Sequence, residues 1–332
     1  MRCEGVAMRI PDARRVLLTR AELSVRGLTD RAIESAVRER RLRRVDYACY
    51  VDQSDWNSAY AEGRHLLRVV AADERQRGGD VIASHASAAV VHELPLFRLA
   101  PKRVHLSGTH VDGRVKRAEP LVAHHRITVA ETDIVEIDGI RCTSLARTVA
   151  DTIRGASRMT SVALADAALR RVAMDAETRG YDEAKDAAFR EEVAARLQRG
   201  ARGVRQARWV LEFADGRAES PGESGSRLLL WELGFAGPRL QVPVPSPSGG
   251  HYEIDFGLDD VDAWGEYDGQ GKYRDPNLRE DASLEDVLLA EKSREDWIRG
   301  TTGRRFARWG REHIETADTL GARLAAFHIR AR

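Results

Sequence analysis

Two short runs in the last third of the chain constrain its fold most: His251-Tyr252-Glu253-Ile254-Asp255-Phe256, and Gly265-Glu266-Tyr267-Asp268-Gly269, whose Glu follows Asp255 by eleven residues. Tyr252, Ile254 and Phe256 alternate with polar partners at the strand period of two, and Val261, Ala263 and Trp264 lead into a second strand ending at Gly269. Residues two apart share a strand face, so Glu266 and Asp268 point the same way and a neighbouring strand brings Asp255 beside them. Three such carboxylates repel one another unless a hard divalent cation sits between them, and oxygen ligands suit Mg²⁺, Mn²⁺ or Ca²⁺ rather than Zn²⁺. With Lys272 just beyond, a metal there can activate water and stabilise a pentacoordinate phosphate, the chemistry of a metal-dependent nuclease. An acidic hairpin with a solvated end is the plainer alternative, since acids are ordinary near turns.

Asp255, then Glu266-Tyr267-Asp268-Gly269, then Lys272-Tyr273 resemble the core of the PD-(D/E)XK nucleases, in particular the branch similar to very-short-patch-repair (Vsr) endonucleases. The resemblance implies Mg²⁺ (or Mn²⁺) held by Asp255, Glu266 and Asp268, with Lys272 polarising the attacking water or steadying the phosphate. The position two after Glu266 is Asp268, where the superfamily's name has Lys; Lys272 then supplies the cation from the following turn. Upstream, Ser220-Pro221-Gly222-Glu223 opens a helix that stops near Gly234, and Glu223 matches the acid that faces the metal in these nucleases. The same residues spell a capping box, with Ser220 as N-cap, Pro221 at N1 and Glu223 reaching back to the Ser220 N–H. Downstream, Leu284 to Ile298 reads as an amphipathic helix carrying Lys292 and Arg294, which the resemblance makes phosphate contacts; local pairing with Glu291 and Glu295 is the alternative. Arg304 to Trp309 resembles the last core strand, its alternation placing Phe306 inward and its arginines toward solvent or phosphate.

The first fifty residues form a second unit. Thr19 caps a helix, Gly27-Leu28-Thr29 makes a turn, and Asp30 to Arg40 carries Ala32, Ile33, Ala36 and Val37 at helical spacing before a short alternating wing. This resembles the winged helix-turn-helix of AbiEi-family antitoxins, repressors of type IV toxin-antitoxin systems. The resemblance implies that the second helix docks in the major groove, with Thr29, Arg31, Ser35 and Arg38 toward bases and phosphates and Arg41, Arg43 and Arg44 as backbone contacts beside Arg40. The wing holds Asp46 where the family has a basic residue and Gly, and Asp46 repels phosphate. A helical hairpin used only for packing is the competing reading. Residues 61–175 continue the likeness through the small-residue helix at Ser84–Pro95 and through Thr143 to Asp151, which resembles the family's Thr-x-x-Arg-Thr-x-x-Asp helix start. His85 and His92, seven apart, read as packed histidines without a third ligand, and His124-His125 point to opposite faces of a strand.

The chain is therefore expected to be an α+β multidomain protein: a winged helix-turn-helix DNA-binding domain at 1–52, an antitoxin-like α/β domain at 61–175, a helical connector at 176–215, and at 216–332 a restriction-endonuclease-like core with a mixed sheet. The net charge of +1 argues against a uniformly basic coat, but residues 1–52 hold twelve arginines against eight acids. Cys3, Cys49 and Cys142 show no zinc-ligand or pairable spacing, and with no signal-peptide core or membrane-length apolar run a cytoplasmic location is expected. No Walker loop or dinucleotide fingerprint appears, so no organic cofactor is expected. The expected function is DNA binding with Mg²⁺-dependent phosphodiester hydrolysis; the alternative is a catalytically silent transcriptional regulator, an antitoxin with a cognate toxin as partner.

Overall fold

A computed structural model describes residues 8–76, 81–108, 120–125, 127–269 and 284–332, with only the backbone described for 284–288. The chain divides into two compact units, one of residues 1–168 with 184–213 and one of residues 169–183 with 214–332. It is a mixed α/β protein with three sheets among the described residues.

The first unit opens with α1 (Ile10–Val16), β1 (Leu18–Thr19), α2 (Arg20–Val25), α3 (Asp30–Arg38), β2 (Leu42–Asp46) and β3 (Cys49–Asp52). Thr19 and Thr29 begin α2 and α3 by accepting hydrogen bonds from the Glu22 and Ala32 N–H groups, and Gly27 turns the chain between them at a φ of +85° that other residues resist. Leu23 and Ile33 pack with Leu18, Leu42 and Tyr50, so the helix pair closes over the small sheet β1-β3-β2. Asp46 does not face outward. It is buried beside Arg75 at 3.3 Å and accepts from the Tyr47 N–H at 2.7 Å.

After α4 (Gln53–Ser58) and α5 (Ala61–Arg75) come β4 (Val81–Ala83), α6 (His85–Val91), β5 (Val104–Gly108), β6 (Val122–His125), β7 (Ile134–Ile137), β8 (Ile140–Thr143) and α7 (Leu145–Ile153). The five strands form a mixed sheet in the order β6-β5-β4-β8-β7, with β5 parallel to β6 and β4 parallel to β8. Ser87 ties helix to sheet: its hydroxyl accepts from the His105 N–H at 2.8 Å and lies 2.9 Å from Nε2 of the fully buried His65 on α5. Then follow α8 (Arg158–Ala173), α9 (Glu183–Ala195) and α10 (Val204–Phe213), with Gly155, Gly180 and Gly200 in the breaks. The segment expected as a connector buries Phe189, Val193, Val204 and Val210. It is packed structure, and its residues 184–213 belong to the first unit.

The second unit runs α11 (Pro221–Glu232), β9 (Arg239–Pro245), β10 (His251–Leu258), β11 (Ala263–Asp268), α12 (Leu284–Thr302), β12 (Arg305–Gly310) and α13 (Ala317–Ala325). β9, β10 and β11 form an antiparallel meander, and β12 returns parallel to β11 after α12, giving the order β12-β11-β10-β9. Val242, Val244, Ile254, Trp264 and Phe306 cover one face with Ile298 of α12. On the other face Phe256 stacks on Trp309, whose Nε1 donates to Ser226 of α11 at 2.8 Å. Gly265 leaves room for that indole, since a Cβ there would stand 2.4 Å from its ring.

Gly265→Ala is expected to destabilise the second unit by about 1–3 kcal/mol through overpacking, read as a lower urea midpoint with the far-ultraviolet spectrum retained. The His65 imidazole is pushed down to about 3 by burial, followed by the nearby His105 and Arg68. The unfolded chain therefore binds this proton first, so its contribution is complete above the ordinary imidazole pKa and is lost as pH falls from there toward about 3. Urea unfolding between pH 7.5 and 4.5 should show a smaller loss of stability in His65→Leu than in the wild type.

Candidate functional site

The antiparallel register Phe256↔Gly265 sets Asp255 and Glu266 on adjacent strands, and the parallel register Glu266↔Arg308 brings a cation beside the second acid. Together with Asp268, Glu253, Gln241, Arg294 and Arg179 they line a cleft of about 410 Å³. Asp255 accepts from the Tyr267 backbone N–H at 2.8 Å, which clamps its carboxylate against β11. Glu266 is only 7% exposed, and both its oxygens are engaged: Oε1 accepts from Arg294 at 2.6 Å and Oε2 pairs with Arg308 at 2.8 Å. Arg294 also donates to the Glu253 carbonyl at 2.6 Å and to Glu291 at 3.1 Å, while Arg308 pairs with Glu291 and with Glu295. Burial alone would pull the Arg308 guanidinium down, but Glu266 and Glu291 outweigh it and hold the group above its ordinary value. Glu291 shows the complement: burial pushes it up, and the hydrogen bonds and charges of Arg308 and Arg294 together more than reverse that.

Ser220 caps α11 by accepting from the Glu223 N–H at 3.1 Å, but the Glu223 carboxylate bonds differently from the expected capping box: Oε1 accepts from the Ser220 hydroxyl at 2.8 Å and Oε2 from the Glu219 N–H at 2.8 Å, one residue before the cap. Gln241, held at a φ of +49°, donates to the same Glu223 Oε2 at 3.1 Å and joins the cap to the cleft. Arg179 pairs with Glu253 at 2.5 Å and with Glu219 at 2.7 Å. Asp268 ends β11 half-buried, and Lys292 is exposed on α12. Lys272 lies outside the described residues.

Two arginines, rather than a metal cation alone, relieve the carboxylate repulsion expected from the sequence. Alternation directed the β12 arginines toward solvent or phosphate, whereas Arg308 shares the Phe306 face and turns onto Glu266. Arg294, expected as a phosphate contact, covers the other oxygen of the same acid. Three carboxylates remain a donor set of the kind a hard cation takes. In this side-chain arrangement, however, Asp255, Glu266 and Asp268 do not bring three ligand atoms within 4.8 Å of one another; among the described residues only His85, His105 and His125 do so.

On the helix pair, Arg31 and Arg38 are exposed on α3, while Thr29 is spent on capping and Ser35 donates to Glu39 at 2.7 Å. Arg41 pairs with Glu39 at 2.8 Å, Arg43 lies over the Trp56 ring at 5.2 Å and Arg44 over Tyr47 at 5.8 Å. Asp46 is buried against Arg75 rather than displayed at the wing, so its charge is met there instead of facing phosphate. His85 begins α6, and His92 caps its C-terminus and lies 2.8 Å from the Thr143 carbonyl. His85 instead meets His105 and His125, and burial pushes these imidazoles down, to about 3 for His85 and about 4 for His105.

No family model matches the chain. It is 29% identical over 241 residues to the proteins named "Uncharacterized protein MT2308" and "Uncharacterized protein Rv2248", from two strains of Mycobacterium tuberculosis, a match spanning 73% of this chain and 79% of each relative. The crystal structure of the RV2827C protein from the same species aligns with a TM-score of 0.36 and 14% identity, over 71% of this chain and 86% of that one. No helix among the described residues is long and apolar enough to cross a membrane.

Glu266→Gln removes the charge shared by two guanidinium groups and should destabilise the second unit by about 1–3 kcal/mol in urea unfolding, since hydrogen bonds to charged partners carry that much. Arg294→Met should cost less than Glu266→Gln, because Arg308 still covers the acid.

Proposed function

We propose that this chain binds DNA through α2 and α3 and carries in its second unit a PD-(D/E)XK, Vsr-like domain that hydrolyses DNA phosphodiester bonds. The observation that carries the reading is the order helix, three-strand meander, helix, parallel strand, with Asp255 and Glu266 on neighbouring strands at one polar cleft. Mg²⁺ or Mn²⁺ is the cofactor this donor set suits, and it would supply an activated water and charge relief at the phosphate. The chain's own residues make the cleft responsive to that substrate. A backbone phosphate competes with Glu266 for Arg294 and Arg308, because guanidinium forks pair equally well with carboxylate and phosphate. Bound DNA thereby takes the two arginines and leaves Glu266 a carboxylate without a counter-ion. Asp255, fixed by the Tyr267 N–H, holds its place throughout. On the N-terminal face Arg31 and Arg38 are the contacts of choice, and the uneven charge of residues 1–52 supports docking there.

A second reading is favoured by one observation. Glu266 has both oxygens on arginine, as expected of a nuclease-like fold kept as a binding surface by a transcriptional regulator with a cognate toxin.

Supercoiled plasmid and single-stranded DNA incubated with the protein in Mg²⁺, Mn²⁺ or EDTA separate the two. Hydrolysis predicts metal-dependent nicking that drops at least about 100-fold in Asp255→Asn, the general scale for loss of a catalytic acid or base. An inert wild type that footprints its own promoter would establish the regulator instead. In either case Arg31→Ala with Arg38→Ala should weaken DNA binding and flatten its salt dependence by about one unit of log–log slope for each phosphate-binding arginine removed.

A further inference from the structure

We propose that His85, His105 and His125 form a binding site for a divalent transition metal of the Zn²⁺ class, separate from the carboxylate cleft. The three come from the start of α6, from β5 and from β6, and one ring nitrogen of each lies within 4.8 Å of the other two. His105 Nδ1 and His125 Nε2 are 2.9 Å apart, and the His85 ring stacks on His125 with centroids 3.7 Å apart. The parallel register β5–β6 pairs His105 with Ala123 and Ser107 with His125, so His105, Ser107 and His125 share one face of the sheet.

Two further observations point to a ligand. The Ser107 hydroxyl is fully buried on that face with no hydrogen-bond partner among the described residues, where a buried hydroxyl ordinarily has one. A metal-bound water beside His125 would satisfy it. His85 holds a left-handed backbone at a φ of +49°, a conformation that non-glycine residues rarely adopt and that recurs at ligand clamps.

Imidazole donors select Zn²⁺ and its neighbours over Mg²⁺, and three of them leave a fourth position for water. Ser84 Oγ, 3.1 Å from His85 Nδ1, is placed to orient that ring through its other nitrogen. Asp151, bonded to Arg147 at 2.7 Å, is the buried carboxylate on the His125 side. Loading requires the stacked His85 and His125 rings to turn about χ2, a broad torsion in histidine, until their lone pairs converge.

The test uses the full-length protein, stripped with a chelator and titrated with Zn²⁺ and then with Co²⁺ as a spectroscopic probe. The expected result is one equivalent bound per chain, the intense visible bands of four-coordinate Co²⁺, and Zn–N distances of about 2.0–2.1 Å by X-ray absorption. His105→Gln and His125→Gln should each weaken binding at least about 10-fold, the low end for a disturbed metal shell, while His313→Gln, a histidine of the second unit, binds like the wild type. Absence of stoichiometric binding by the wild type overturns the proposal whatever the variants do. So does binding that survives in both histidine variants, or a Co²⁺ spectrum without nitrogen ligation.

Discussion

The second unit is organised around the burial of one carboxylate. Glu266, 7% exposed on a central strand, cannot stay charged in an apolar layer without counter-ions, and two arginines reach it from different directions. Arg308 arrives because β12 lies parallel to β11 in a register that pairs the two residues, and Arg294 because α12 packs Ile298 against the sheet. Removing the acid would leave two half-buried cations to Glu291 and Glu295 alone, and removing one arginine shifts the load to the other. Strand order, helix placement and cleft charge are therefore one arrangement.

That arrangement sets the electrostatics of the cleft. Its cations are already bonded to protein acids, so an anionic ligand must bring enough charge to displace Glu266, Glu291 and Glu295. Guanidinium groups pair with phosphate as well as with carboxylate, so a polyanion meets this condition better than a single small anion. The hydrogen bonds of Glu223 to Ser220 and Glu219 and its link through Gln241 hold the start of α11 to the sheet beside the cleft.

The first unit solves a different problem. Its five-stranded sheet gathers histidines that the chain spaces widely, and burial keeps them neutral, so their lone pairs remain available. His65 and Ser87 lock α5 and α6 against the β5 backbone just beneath this cluster, which fixes where His85 and His105 can meet.

Local pattern alone determined much of this protein. The caps at Thr19 and Ser220 and the two strands ending in acid were legible because they depend on neighbours within a few residues, and the elements stand where those signals put them, although Ile254 and Phe256, expected on one face, pack on opposite faces of the sheet. The placement of Asp255 and Glu266 on adjoining strands was legible for the same reason, through strand period and hairpin pairing. Tertiary structure decided what those carboxylates meet. Arg308 lies 42 positions from Glu266 and reaches it only through a parallel crossover, and no sequence periodicity tells which face of a distant strand will be opposite. Asp46 reads as an exposed wing acid until Arg75 covers it, and His85, His105 and His125 read as unrelated until three elements converge. Short-range order follows from backbone sterics and capping, whereas charge pairing and ligand geometry follow from contacts that exist only once the sheets have closed.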